Sequence, residues 1–146
     1  MIPDFEPATV NLPPGKHMAT WQELAERFGH TERRRHLLGG MLVALQLLRV
    51  AGCKRAYIDG SFTTTKPEPG DYDGCWDMEG VDFDVLDPRL LDFSNRRAAQ
   101  KAAFLGEMFL ADSQAEPLGT LFRDFFQRDR EGRPKGIVVL DLGGLP

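Results

Sequence analysis

Only two cysteines, Cys53 and Cys75, occur in the 146 residues, and no CxxC spacing joins them. A disulfide framework and a zinc site are both excluded, and a reducing compartment is the natural setting. The three histidines, His17, His30 and His36, show neither HExxH nor any paired ligand spacing, so metalloprotease chemistry is absent as well. Walker A, G-x-G-x-x-G and G-x-S-x-G sequences are all missing. The longest apolar run falls far short of a membrane span, and no basic segment followed by an apolar one opens the chain. The reading is a cytoplasmic protein without a membrane partner. Broad positive charge is lacking too: the formal net charge is -4, which argues against a protein whose main task is to coat nucleic acid.

What is present is enough for one domain with its own core. Nine acids, Glu68, Asp71, Asp73, Asp77, Glu79, Asp82, Asp84, Asp87 and Asp92, crowd one stretch in which only Arg89 opposes them. Most of these read as a solvated loop, although bound metal is another way to neutralise part of the set. The segment starting at Asp71 is no EF-hand, because Trp76 stands at the sixth position where the sharp turn demands glycine. Arg33-Arg34-Arg35 reads most simply as a solvated helix face.

Residues 1–18 hold Pro3, Pro7, Pro13 and Pro14 and read as an extended arm, leaving 19–146 as a single domain. Thr20-Trp21-Gln22-Glu23 has the form of a capping box, with Trp21, Leu24, Ala25 and Phe28 on one face of a short helix. Thr31 caps a second helix along which Leu37, Leu38, Met41, Leu42, Leu45 and Leu48 recur at helical spacing. Strands are expected at Arg55 to Asp59, Asp71 to Met78, Val81 to Leu86, Glu107 to Ala111 and Ile137 to Leu142. An alanine-rich helix is expected within Leu90 to Leu105, and a Phe-rich one from Thr120 to Arg128. The mixture implies an α+β sandwich, a mixed sheet with helices packed on it.

Chemistry concentrates in Tyr57-Ile58-Asp59-Gly60-Ser61-Phe62, followed across a polar loop by Asp71-Tyr72-Asp73. Glycine after a strand lets the backbone approach a ligand, and the N–H groups and hydroxyl that follow can bind phosphate oxygens. Aspartates at alternate strand positions share a face, where two like charges favour a cation such as magnesium. Each part alone is common turn or hairpin chemistry. Together, in this order and spacing, they resemble the signature of the polymerase-β-like nucleotidyltransferases.

The resemblance covers mainly Lys54 to Asp77 and implies a minimal, single-domain member of that superfamily. By analogy, Gly60 and Ser61 help hold the triphosphate, Asp71 and Asp73 bind magnesium, and a third carboxylate on a later strand completes the catalytic set. Asp141, a charge within the apolar run Ile137 to Leu142, is the expected third acid and Asp112 its rival. Lys66 stands in the loop where the family often has arginine; it is a candidate phosphate contact, a solvated lysine being the plainer reading. Gly74 also departs from the family, which usually has an apolar strand residue there.

Two functions follow as expectations. The first is magnesium-dependent transfer of a nucleoside monophosphate from an NTP to a hydroxyl of a protein or RNA acceptor, as one half of a toxin–antitoxin pair. The second is a nucleotidyltransferase-like binding module without turnover, an antitoxin or nucleotide sensor.

Overall fold

A computed structural model describes residues 1–7 and 9–146. Its first regular element lies inside the expected arm: Gly15–Ala19 forms strand β1. The prolines end before it, and the alternation from Lys16 to Ala19 pairs in parallel with the C-terminal strand β5, Gly136–Asp141. The arm is therefore joined to the sheet, and Ile2 and Leu12 are buried in the main core.

Helix α1, Trp21–Phe28, starts where expected, the Thr20 hydroxyl accepting from the Glu23 N–H. Helix α2, Glu32–Val50, starts on Thr31 in the same way. Both caps satisfy a backbone donor that the first turn leaves free. Strand β2, Arg55–Asp59, and strand β3, Tyr72–Trp76, follow as an antiparallel pair.

Val81 to Leu86 is not a strand but a series of turns. Asp82 accepts the Asp84 N–H through its own carboxylate at 2.9 Å, and this local bond displaces sheet pairing. Phe83 and Val85 consequently stay about half exposed.

Helix α3, Ser94–Phe104, is entered through three left-handed residues, Asn95, Arg96 and Arg97, with φ of 51°, 55° and 60°. Each non-glycine residue in that region costs roughly 1 kcal/mol. Strand β4, Gly106–Leu110, lies parallel to β3. The Phe-rich segment contributes only a short helix α4, Phe122–Phe125.

The sheet is mixed, five-stranded and ordered β1-β5-β2-β3-β4. Ala56, Ile58, Tyr72, Trp76, Met108, Val138 and Leu140 point to one face and pack on the helical layer. Tyr57, Cys75, Ile137 and Val139 point to the other, where Phe109, Phe122 and Phe126 complete a smaller cluster. The fold is α+β. Among the described residues no helix is long and apolar enough to cross a membrane.

Candidate active site

Strand register builds the site. Asp59 pairs with Asp73 across β2 and β3, and Asp73 pairs with Glu107 across β3 and β4. Residues directly opposite one another share a face. The three acids thus form a row across three strands, on the face away from α2. Asp71 precedes β3 by one residue and belongs to the same group.

The residues between the acids fix this orientation. Tyr72 is fully buried on the helical side, its hydroxyl donating to the Phe104 carbonyl at 2.9 Å. Gly74 is set by close packing: a Cβ there would lie 2.7 Å from the Tyr57 carbonyl oxygen and 2.8 Å from the Met108 sulfur. The missing side chain belongs to packing on the helical face and leaves the acids untouched.

Gly60 follows β2 with φ 83° and ψ -168°, a conformation that disfavours any side chain. A Cβ would also fall 2.8 Å from the Asp73 carboxylate. Ser61-Phe62-Thr63 then forms one 3-10 turn. Among the described residues the Ser61 hydroxyl has no hydrogen-bond partner.

The loop beyond is held from beneath by Arg34. Completely buried, this guanidinium donates to the carbonyls of Phe28 at 3.3 Å, Phe62 at 2.6 Å, Thr64 at 2.8 Å and Lys66 at 3.1 Å. Arg33 adds bonds to the Pro69 and Gly70 carbonyls. The arginine run is therefore no solvated face: two of its members secure the Gly-Ser loop, because buried carbonyls need donors. Burial lowers the Arg34 pKa.

Electrostatics mark the same row. Burial, then Asp71, Glu107 and Asp59, push the Asp73 carboxyl up to about 7, with Lys135 opposing. Asp71 is raised by burial and then by Glu107. Asp59 is raised to about 6 by burial, against the pull of Lys135. Lys135 Nζ lies 3.0 Å from Asp59 Oδ2, while among the described residues the buried Oδ1 has no partner. Glu107 is engaged by Lys101 at 3.0 Å and by Arg97 at 3.3 Å.

The hard oxygen donors of Asp71, Asp73 and Glu107 suit magnesium, and their mutual repulsion is what a cation relieves. In their present rotamers they do not converge: among the described residues no three His, Cys, Asp or Glu side chains are grouped closely enough to hold a metal. Glu107 faces its two basic partners instead.

Neither expected third acid joins them. Asp141 is exposed, pairs in register with Arg55 and caps the Gly143 N–H at 2.9 Å. Four strand positions separate its level from that of Asp59, about 13 Å. Its apparent burial inside an apolar run was relieved by being the last residue of β5. Asp112 lies beyond β4 and bonds Arg123 at 2.8 Å. Lys66 is exposed, but its charge reaches Asp71.

Glu107 had a signal in sequence, a lone charge in Gly106-Glu107-Met108-Phe109-Leu110, the same signal that Asp141 carried. Asp59 was visible beside Gly60. Nothing local announced Lys135 or Arg34.

No curated protein and no solved structure matches this chain. A family profile does, over residues 3–141, nearly the whole length and all of the acid row. The chain belongs to that family, DUF6932, whose description is a family of unknown function.

Proposed function

We propose that this protein is a magnesium-dependent nucleotidyltransferase that moves a nucleoside monophosphate from an NTP to a hydroxyl acceptor. The observation that carries the reading is the register Asp73↔Glu107, which supplies a third carboxylate to the Asp71-x-Asp73 pair beside Gly60-Ser61. Asp71 and Asp73, joined by Glu107 once its carboxylate turns from Arg97 and Lys101, would hold the metal, which when bound neutralises charge on phosphate oxygens. The N–H groups and hydroxyl after Gly60 receive the phosphates, with Lys66 at the loop's outer side. The acceptor oxygen bonds to the α-phosphorus as the bond to pyrophosphate breaks, and Glu107 takes the acceptor's proton. A protein or RNA acceptor, a toxin–antitoxin context and a cytoplasmic setting belong to the same reading.

A binding module without turnover is the second reading. Its support is the engagement of Glu107 by Arg97 and Lys101, which neutralises the third acid without metal.

Purified protein incubated with magnesium, labelled NTPs and cell extract separates the two. Label transfer that disappears in an Asp71→Ala, Asp73→Ala double variant is the enzyme's outcome. Magnesium-dependent NTP binding with no transfer is the module's outcome, and absence of both sinks the two together.

A further inference from the structure

Beside the acid row stands a stack of aromatic rings that the transfer reaction does not use. Phe109 lies between two neighbours: its ring is parallel to that of Phe122 at 4.2 Å and 10°, and to that of Phe93 at 5.8 Å and 7°. Phe93 is the exposed end of the stack, 38% accessible. Its position is built by its neighbour, since Asp92 Oδ1 accepts both the Ser94 N–H at 3.0 Å and the Ser94 hydroxyl at 2.5 Å.

The stack is continuous with the site. Glu107 and Phe109 alternate on β4, so they share a face about 7 Å apart. Arg97 bridges them, 3.3 Å from the Glu107 carboxylate with its guanidinium 5.6 Å from the Phe109 centroid. A ligand with phosphates at Gly60-Ser61 and Asp73 would bring its other end toward these rings. A planar group laid against the accessible part of Phe93 would extend the stack by one member.

We infer that Phe93, backed by Phe109 and Phe122, is a nucleobase subsite, and that the base is held by stacking with little selection among bases. This rests on the nucleotidyltransferase reading and adds to it the recognition of the donor. The rings carry no hydrogen-bonding group, and every base has a π-face, so recognition is by shape and area. Purines bind somewhat tighter than pyrimidines for their larger face.

Titration calorimetry with magnesium present, using ATP, UTP and inorganic tripolyphosphate, tests it. The wild-type chain is expected to bind ATP about tenfold tighter than tripolyphosphate, the value of one stacked base. Phe93→Ala removes that margin and leaves tripolyphosphate affinity within twofold; Phe93→Trp restores it. Equal wild-type affinities for ATP and tripolyphosphate, or a Phe93→Ala chain that keeps the margin, overturn the subsite while leaving phosphate binding intact. Failure of the wild-type chain to bind either probe overturns the transferase reading and the subsite with it.

Discussion

One face of the sheet is packed against the helices, while the other carries an apolar cluster and, beside it, a row of acids. On the helical face Tyr72, Trp76, Met108 and Leu140 are completely buried, and a residue as small as Gly74 is set by what it touches. On the other face Asp59, Asp73 and Glu107 stand in a row; burial raises the Asp73 and Asp59 carboxyls, and for Asp73 the neighbouring acids add to it. Alternation along β2, β3 and β4 writes both faces into the same few residues, so each acid is held by apolar neighbours directed the opposite way. Packing on one side is what keeps unfavourable charge together on the other.

The sharpest way to break the comparison is to remove the acids. Asp73→Ala should lower label transfer by about three orders of magnitude while leaving the helical core intact, checked by single-turnover assay and circular dichroism. Glu107→Gln should follow closely, at about a hundredfold. Next is Arg34→Met, which strips several buried carbonyls of their donor; urea denaturation should show a loss of about 3 kcal/mol or more. Gly74→Ala attacks the packed face alone, costing about 2 kcal/mol of stability, with NTP affinity changed far less than in Asp73→Ala.

A pH titration compares the faces without mutating the packed one. The folded-state carboxyls of Asp73 and Asp59, about 7 and about 6, lie above the ordinary 3.8. The native state therefore binds more protons than the unfolded one between pH 4 and 7. The stability these two groups contribute should be fully present below that window and be lost as pH rises through it, read by urea denaturation across the range, with Asp73→Asn flattening the slope. The smallest effect belongs to Asp141→Asn, within twofold in transfer because this side chain only caps a turn. A large loss there would restore Asp141 as the third acid.

The helix caps, the β2–loop–β3 arrangement and the Asp71–Asp73 pair were legible because each depends on residues close in sequence. The third acid was not. Lone charges in Gly106–Leu110 and Gly136–Asp141 look alike until strand order is known, and only the parallel pairing of β3 with β4 selects Glu107. Arg34 was misread for a related reason: a guanidinium satisfied by carbonyls of a loop some thirty positions later leaves no mark in the helix pattern around it. The turns at Val81 to Leu86 had the opposite fault, since alternation there was real but a side-chain acceptor captured the backbone.

Strand β4 lies at the rim of the sheet, paired to β3 on one side only. Beyond it the Met108 N–H is met by a single side chain, Gln100 of α3, at 2.7 Å. Asp59 and Asp73 ride on interior strands clasped from both sides. In amide exchange, the β4 protons should open at lower free energy than those of β2. The acid row then has a fixed end and a yielding one, and Glu107 is the member able to adjust its reach to whatever settles between them.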